Sequence, residues 1–526
     1  MARDDKNIVI PKEKFSFVHE GERIHDQKFE DKPIGYFRDA WNRFCKSHAS
    51  VAAAIIILLI VLYALLMPVL ITKYDATFMC GTYAKKPGRI AALREFGILD
   101  GGTDLNQNES GYIKLLAIGM AAEDVDGTGV TLAEGLESPY QPVIKTKGSF
   151  VQETANKKTT TYYSMRLDTY LQVGFLYKTV EQSEYQRIQA WQEETGLQVL
   201  YPLVENNEWC PDPEDANYWY KARAKGGAPV SVSDSGKATT IAYSEDLVLE
   251  DNYKRDADGN VMYGQLVGGG TFDTAQVKIR VLYYNYYQYL YGFEPNYILG
   301  TDSQGYDLAL QVASGIKLSL LIAISVSLIN FVIGALYGAV EGYYGGTVDI
   351  LLERISDILG YMPFIVVATL FQLHLAKKVG PIPSLLFAYV LTGWIGTASR
   401  VRTQFYRFKN QEYVMAARTL GARDRRIIWK HIFPNSLGTI ITSCALVIPS
   451  VILTESMLSY LGIIKLGGGG TTSLGTLLSD ASSIWTQYPH LMICPALVIS
   501  LLMISFNLFG NGLRDAFNPS LRGVEE

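Results

Sequence analysis

The chain has 526 residues, three to four times the ~150 residues of a typical domain, which predicts more than one folding unit. Hydrophobic residues make up 48% and charged residues 19%. These values exclude a disordered chain, and the separation of long apolar runs from one polar block excludes an ordinary soluble enzyme. The formal net charge is -5, but residues 73–306 carry 21 basic and 31 acidic residues, whereas the remainder carries 26 basic and 21 acidic. The sequence therefore predicts an acidic insert within a basic apolar body.

Six hydrophobic stretches predict transmembrane helices, at residues 50–71, 316–340, 350–372, 384–399, 436–458 and 490–510. An α-helix needs about 20 residues to cross the ~30 Å hydrocarbon layer, and most of these stretches are long enough. The fourth stretch is short, so it either begins earlier, near Pro381 and Pro383, or continues past Arg400 with its basic side chains reaching the interface. The predicted fold class is an all-α polytopic membrane protein of six transmembrane helices.

Basic residues predict the orientation of this bundle. No small-residue cleavage site cleanly follows the first span, so that span is read as an uncleaved anchor. Ten Lys or Arg precede the first span, nine lie in residues 400–430 and two in the tail, whereas the short outer loops carry only Lys377, Lys378 and Lys465. Because short basic loops stay inside, both termini are predicted to be cytoplasmic. A helix around Trp41 is expected either to lie along the inner leaflet or to pack on the bundle.

Residues 73–306 contain no spanning run and are predicted to form an α+β extracytoplasmic domain between the first and second helices. Residues 159–178 and 275–287 are rich in Tyr, Val and Thr and predict strands, whereas residues 180–198 predict an amphipathic helix. The insert contains two cysteines, Cys80 and Cys210. On the oxidising side they either pair or remain free, because sequence does not give the distance between them.

A basic segment between the fourth and fifth spans, here named the elbow (residues 411–435, QEYVMAARTLGARDRRIIWKHIFPN), predicts two short helices. The first ends where Gly421 can adopt a left-handed conformation, and the second starts near Ala422 and continues before Pro434. Ala416 and Ala417 are small enough to let another backbone approach, and nearby arginines supply charge-assisted contacts. The alternative is an amphipathic connector lying on the membrane surface.

The elbow resembles the EAA loop of bacterial ABC importer permeases, in which a short coupling helix docks into a groove of an ATP-binding subunit. Further landmarks follow in order and resemble the C-type transmembrane subunit of the dipeptide/oligopeptide (peptide/nickel) permease family: residues 298–302 with Gly305 and Asp307, residues 342–346, Trp394 with Arg400 and Arg402, residues 458–462, and residues 506–515. They cover about 297–520 and the first span. The resemblance implies a type I ABC importer permease, but it says nothing about the long insert, which replaces a short link in the family.

The domain organisation expected from these observations has five parts. They are a cytoplasmic segment with an interfacial helix (1–46), the first transmembrane helix (47–72), the extracytoplasmic insert (73–306), the permease core with its coupling loop at 404–435 (307–512), and a cytoplasmic tail (513–526).

The resemblance also implies a set of functional residues. Those expected to contact the ATPase are Glu412, Tyr413, Ala416, Ala417, Arg418, Gly421 and Ala422. Glu455, near the outer end of the fifth span, and Trp394 are candidates for the substrate pathway, because ionisable groups within spans often face a cavity. For Glu455 the alternative is a structural hydrogen bond.

No phosphate-binding G-x-x-x-x-G-K-[ST] loop and no catalytic or metal-ligand cluster occurs in the sequence, so no enzymatic activity, cofactor or metal is expected in this chain. The resemblance implies partners: a homologous second permease, two ATP-binding subunits that hold ATP and Mg, and an extracytoplasmic peptide-binding protein in a bacterial cytoplasmic membrane. The implied function is import of oligopeptides or dipeptides. The alternatives are import of nickel or a metal chelate by a related permease, and a membrane-anchored ligand sensor.

Overall fold

The computed structural model describes residues 36–517 except 91–92, 94–96, 154–158, 205–220, 223–228, 233–237, 241–255, 258–259, 269–273 and 469–470. Its helices are α1 (Tyr36–Lys46), α2 (His48–Leu70), α3 (Glu109–Glu123), α4 (Leu132–Glu137), α5 (Gln182–Thr195), α6 (Tyr283–Tyr291), α7 (Leu308–Tyr344), α8 (Gly346–Gly360), α9 (Phe364–His374), α10 (Ala376–Val379), α11 (Pro381–Thr392), α12 (Ile395–Lys409), α13 (Glu412–Thr419), α14 (Asp424–Arg426), α15 (Phe433–Ala445), α16 (Val447–Tyr460), α17 (Leu474–Ala481) and α18 (Pro489–Phe517).

Five segments among the described residues are long and apolar enough to cross a membrane: His48–Leu70, Leu308–Tyr344, Pro381–Lys409, Asp424–Tyr460 and Pro489–Phe517. A sixth span results if α8 and α9, which meet at a bend of 71°, are counted together. Pro363 lies at that bend, where its missing N–H and its ring interrupt the helical hydrogen bonds. Each predicted hydrophobic stretch coincides with one of these segments, although the first was predicted one residue too far, to residue 71, and the fourth is longer than predicted at both ends.

The N-terminal helix α1 packs on the bundle. Ala40 and Phe44 are buried against Ala516 near the end of α18, and the Phe44 ring lies 5.4 Å from that of Phe509. Trp41 points away and is exposed. Of the two positions considered for this helix, its contacts match the packed one.

The insert contains strands β1 (Gly102–Asn108), β2 (Val143–Glu153), β3 (Thr159–Asp168), β4 (Phe175–Glu181), β5 (Leu200–Tyr201), β6 (Lys221–Ala222), β7 (Pro229–Val232), β8 (Ala238–Thr240), β9 (Gly264–Gly268) and β10 (Gln276–Leu282), and a loop of the membrane domain adds β11 (Gly467–Gly468) and β12 (Thr471–Thr472). One antiparallel sheet has the order β1-β3-β2. In a second sheet, β10 pairs antiparallel with β4, β5 and β9. The described part of the insert thus combines helices and strands.

Two predicted strands of the insert differ from the structure. The stretch 159–178 forms two strands separated by a turn at Gly174, where φ is +61°. The stretch 275–287 is a strand only as far as Leu282, after which α6 begins. The helix buries four tyrosines at positions 283, 284, 286 and 287, a spacing that one helical face satisfies and an alternating strand does not. Tertiary packing therefore overrides the β-propensity of tyrosine. The predicted helix at 180–198 is found as α5.

The insert meets the membrane helices at a junction that we name the neck (residues 74–89 and 297–307). Its two segments are hydrogen-bonded to each other: Lys86 N donates to the Thr301 side-chain hydroxyl, and Thr301 N donates to the Lys86 carbonyl, both at 2.9 Å. Arg89 N donates to the Tyr297 carbonyl at 2.7 Å. The chain thus enters and leaves the insert at adjacent points.

Glycine permits the close approach within the neck. Gly300 has φ +86°, and a Cβ atom there would collide with the carbonyl oxygen of Lys86. Gly305 has φ +101°, and its Cβ would collide with the Cys80 carbonyl. Any other residue would need both a strained backbone and a displaced partner strand.

The neck is also bonded to α7. Asp307 caps this helix, since its Oδ1 accepts a hydrogen bond from Ala309 N at 2.7 Å. The Tyr74 hydroxyl donates to the other carboxylate oxygen at 2.7 Å. Helix α7 therefore has the neck at its N-terminal end, and its C-terminal end reaches the elbow.

Candidate functional site

The first helix of the elbow is α13, and its end has the predicted geometry. Gly421 has φ +79°. Gly421 N donates to the Arg418 carbonyl and Ala422 N donates to the Ala417 carbonyl, each at 3.0 Å. These two bonds form a Schellman motif, which ends a helix at a left-handed residue. The prediction that Gly421 terminates the first helix is confirmed.

The second helix of the elbow continues into the fifth span without a break. It begins at Asp424, passes through a π-helical turn (Ile427–Ile432) and runs on through α15 and α16. Pro434 lies just after the π-helical turn and does not end the helix. A proline leaves a helical carbonyl without its donor, and such wide turns commonly accompany this loss.

One apolar side chain anchors α13 to the bundle. Val414 is completely buried and joins a cluster formed by α7, α12 and the second elbow helix, which includes Ala339, Phe405 and Ile427. Burying a valine side chain contributes about 1.5–3 kcal/mol. This burial fixes the inner face of the helix.

A tyrosine near the end of α7 supplies the polar anchor. The Tyr343 hydroxyl donates to Asp424 Oδ1 at 2.5 Å and accepts from Arg418 Nη2 at 3.4 Å. The Arg418 guanidinium also lies 5.8 Å from the centre of the Tyr343 ring. Tyr343 therefore connects both elbow helices to α7. Tyr343 lies in one of the family landmarks (residues 342–346), but no local sequence pattern indicated its contact with the elbow.

The remaining surface of the first elbow helix is open. Leu420 exposes 89% of its surface, and Met415 and Tyr413 are also exposed. Of the other predicted coupling residues, Glu412, Ala416, Arg418 and Gly421 are exposed, whereas Ala417 and Ala422 are half-buried. An exposed apolar side chain surrounded by small residues and charges is typical of a protein interface.

Tyr413 joins the two elbow helices. Its hydroxyl accepts a hydrogen bond from Asn435 Nδ2 at 3.3 Å. Partial burial raises the pKa of Tyr413, and the bond from Asn435 opposes only part of that shift. The hydroxyl therefore stays protonated and can still donate to a partner.

An ion cluster braces the helices that carry the elbow. Arg402 on α12 forms a bidentate pair with Asp349 at 2.6 and 2.8 Å, and it also bonds Glu353 at 2.7 Å. Glu341 on α7 lies 3.6 Å from the same guanidinium. Bidentate arginine pairs fix geometry as well as charge. The cluster joins α7, α8 and α12, and sequence reasoning did not find the central position of Arg402.

Glu455, a candidate for the substrate pathway, is only 1% exposed. Its carboxylate accepts hydrogen bonds from the Ser319 hydroxyl on α7 at 2.9 Å and from the Ser459 hydroxyl at 3.0 Å. These bonds match the structural alternative considered for this residue. The pathway role stays a prediction.

Trp394, the other pathway candidate, is also buried. It lies at the junction of α11 and α12, where its ring is 4.4 Å from that of Tyr337. Gly334 on α7 lies so close that a Cβ atom there would be 2.9 Å from the Trp394 carbonyl oxygen. Trp394 thus contributes to the contact between α7 and α12, and a substrate contact remains a prediction.

The disulfide prediction is not resolved. Cys80 is buried in the neck, with its sulfur 3.3 Å from the Tyr283 hydroxyl. Cys210 lies outside the described residues. Within the described residues, no group of three or more His, Cys, Asp and Glu side chains could hold a metal ion.

Two family models match the chain. The model described as "Binding-protein-dependent transport system inner membrane component" matches residues 330–523, and that described as "N-terminal TM domain of oligopeptide transport permease C" matches residues 35–84. Both the elbow and α2 lie within these matches. Residues 85–329, which include most of the insert, lie between them.

Two known transport permeases are similar to this chain over less than half of its length. The oligopeptide transport system permease protein OppC of Bacillus subtilis is 39% identical over 42% of this chain and 72% of its own length. The dipeptide transport system permease protein DppC of Lactococcus lactis is 40% identical over 42% of this chain and 64% of its own length. A solved structure of the MetNI methionine ABC transporter in inward-facing conformations aligns with 40% of this chain and with 97% of its own chain, at 15% sequence identity. The TM-score of 0.33 is too low to support a functional statement. This chain belongs to the family of binding-protein-dependent transport permeases, the family that includes OppC and DppC.

Proposed function

We propose that this chain is a transmembrane permease subunit of an ATP-driven importer of oligopeptides or dipeptides. The open, apolar surface of the first elbow helix supports this proposal most directly, because its inner face is fixed while Leu420 and Met415 are left to a partner. Burial of a leucine side chain contributes about 1.5–3 kcal/mol to an interface. The relatives' names, oligopeptide and dipeptide transport permease, supply the substrate class.

The partners follow from the same proposal. A homologous second permease completes the pore. Two ATP-binding subunits hold ATP and Mg, and each binds the elbow of one permease chain. An extracytoplasmic binding protein delivers the peptide. The chain lies in a bacterial cytoplasmic membrane with both termini inside and the insert outside. ATP hydrolysis takes place on the partner subunits, and this chain transmits motion rather than catalysing a reaction.

The contacts of the elbow suggest how motion reaches the pore. When the ATP-binding subunits close, each moves its elbow, and Tyr343 passes that displacement to α7 through Asp424 and Arg418. The cluster around Arg402 makes α8 and α12 follow. Rigid helices whose ends are displaced can change which side of the membrane a pore faces. Because Glu455 and Trp394 are buried in this conformation, substrate contact with either requires such a movement.

Gly421 offers a direct test of the elbow. Valine there places a β-branched side chain in the left-handed region, which costs about 1–2 kcal/mol, whereas asparagine tolerates that region. No atom lies within 4 Å of the added Cβ, so strain rather than collision is tested. We expect Gly421→Val to reduce both copurification of the ATP-binding subunits and uptake of a labelled peptide, and Gly421→Asn to retain most of both.

Three outcomes would contradict the proposal. Normal uptake with Gly421→Val would remove the elbow from the coupling path. If the chain imports a labelled nickel chelate and peptides do not inhibit that uptake, its function is metal import. If no ATP-binding subunit copurifies with the chain and a deletion strain takes up peptide normally, the sensor alternative is favoured.

A further inference from the structure

An exposed apolar surface lies where the insert meets the two membrane helices. We name it the aromatic patch (Phe78, Met79, Leu290, Tyr291 and Phe293). Helix α6 is buried along most of its length, but its last two residues are open: Leu290 exposes 43% and Tyr291 39% of their surfaces. Met79 is also exposed, whereas Phe78 and Phe293 are half-buried and pack against the core of the insert. The rings of Phe78 and Tyr291 meet edge to face at 5.0 Å, and Phe78 and Phe293 lie 5.7 Å apart.

Contacts between α2 and α7 place this surface along the membrane normal. The Tyr63 hydroxyl on α2 donates to the Ala309 carbonyl at 3.0 Å. Met67, one turn later, packs against Ala309 and Ala313. The start of α7 is therefore level with the last two turns of α2, so both spans reach the same membrane surface together.

The aromatic patch begins directly beyond that level. Tyr74 lies four residues after the end of α2 and bonds Asp307, the cap of α7. Its ring lies 5.2 Å from Phe78 and 5.0 Å from Phe293. One further ring contact reaches Tyr291. The headgroup layer is about 5–8 Å thick on each side of a ~30 Å hydrocarbon core, a depth comparable to one such ring contact.

We propose that the aromatic patch is embedded in the headgroup layer of the bilayer and holds the insert against the membrane. Tyrosine is suited to this layer because its ring is apolar and its hydroxyl can reach water. The chain entering the patch supports the same partner: Leu65, Leu66, Val69 and Leu70 of α2 are exposed apolar residues of a membrane helix. Lys73, also exposed, follows them at the level of lipid phosphates.

This contact fixes the orientation of the insert. Helix α6 continues directly from β10, the strand to which β4, β5 and β9 are hydrogen-bonded. With the end of α6 on the bilayer and the neck closed by backbone bonds, that sheet has two attachments to the membrane region. The proposal does not depend on which solute is transported or on which side of the membrane the insert lies.

Photochemical cross-linking tests the contact. The full transporter is reconstituted in phospholipid nanodiscs with p-benzoylphenylalanine in place of Tyr291, and with the same replacement at Phe150 as a matched control. Phe150 is exposed to a similar extent, 43% against 39% for Tyr291, but lies on β2 of the other sheet. We expect a covalent phospholipid adduct at position 291 and none at position 150.

The same replacement at Leu290 serves as a second test position, in case the Tyr291 variant does not fold. We expect a phospholipid adduct at position 290 as well. An intact complex that gives no lipid adduct at either 290 or 291 overturns the proposal. An adduct at these positions with the second permease or the binding protein overturns it as well, because the surface then has a protein partner. Equal lipid adducts at 291 and 150 would show contact without a defined surface and would also overturn it.

Discussion

The two ends of α7 meet two very different structures. At its N-terminal end, the neck is completed within the chain: backbone groups of Lys86 and Thr301 bond each other, and Gly300 lets the two segments touch. At its C-terminal end, the elbow is held by the buried side chain of Val414 and by the hydroxyl of Tyr343, while its outer surface is open. The two segments of the neck bond each other within the chain, whereas the elbow leaves apolar surface exposed.

This difference separates a structural joint from a docking surface. A joint loses stability when its packing is disturbed, because each segment fills the space of the other. A docking surface tolerates changes to its exposed face and loses partner binding instead. If this assignment is right, substitutions in the neck should unfold the region, and substitutions around the elbow should change coupling while the chain remains folded.

The largest expected effect is at the neck. Gly300→Ala adds a Cβ that collides with the Lys86 carbonyl in a left-handed backbone, so we expect a loss of about 3 kcal/mol or more. Gly292→Ala is the matched control, because Gly292 also has a positive φ, +76°, but no atom lies within 4 Å of the added Cβ. That control should cost only the backbone strain, about 1–2 kcal/mol. Thermal unfolding of the purified chain, with limited proteolysis of the insert, measures both.

Equal losses of stability in the two glycine variants would show that backbone strain, rather than close packing, governs the neck. The description of the neck as a closed joint would then be wrong.

A smaller effect is expected at Tyr343. Tyr343→Phe removes a hydrogen bond to the charged Asp424, a loss of about 1.5–3 kcal/mol, but retains the packed ring. We expect less peptide transported per ATP hydrolysed, with binding of the ATP-binding subunits maintained. Tyr344→Phe is the control, since Tyr344 is the adjacent, exposed tyrosine.

The transport-to-hydrolysis ratio in proteoliposomes distinguishes these variants. An unchanged ratio in Tyr343→Phe would exclude its hydroxyl from the path between elbow and pore. A loss of ATPase binding would instead show that the bond maintains the fold of the elbow.

Much of the membrane domain could be predicted from the sequence, because its signals are local. Apolar length predicted the positions of all six hydrophobic segments. Glycine chemistry predicted the end of α13 at Gly421. These predictions succeed because a backbone in lipid must satisfy its hydrogen bonds within the segment.

The neck and the polar anchors could not be predicted because they depend on distant pairs. Thr301 meets Lys86 across more than two hundred residues, and Asp424 meets Tyr343 across about eighty. In the insert, the composition of residues 283–287 predicted a strand, but these residues form a helix. The helix places the tyrosine rings on one face, where they contact the core of the insert. No local pattern contains this information.

The smallest expected effect concerns the charge of Lys86. Burial lowers its pKa from 10.5 to about 8, and attraction to Asp168 opposes part of this shift. Between pH 8 and 10.5 the unfolded chain keeps a proton that the folded chain has released, so stability should rise with pH by about 1 kcal/mol per unit. Below pH 8 Lys86 is charged in both the folded and the unfolded chain, so the free energy of unfolding is reduced by the full cost of burying that charge.

Lys86→Met should abolish this rise while leaving the neck folded. Unfolding curves of the two proteins between pH 7 and 10 provide the measurement. A parallel pH dependence in both would show that another group is responsible.

Cross-linking from position 420 tests the contact between the elbow and an ATP-binding subunit most directly. The complete transporter carries p-benzoylphenylalanine at Leu420, or at Leu136 of the insert, which is also exposed. We predict an adduct with an ATP-binding subunit from position 420 and none from position 136. An intact complex in which position 420 reacts with no ATP-binding subunit, or is reached only by reagents added outside the cell, would contradict the proposed function.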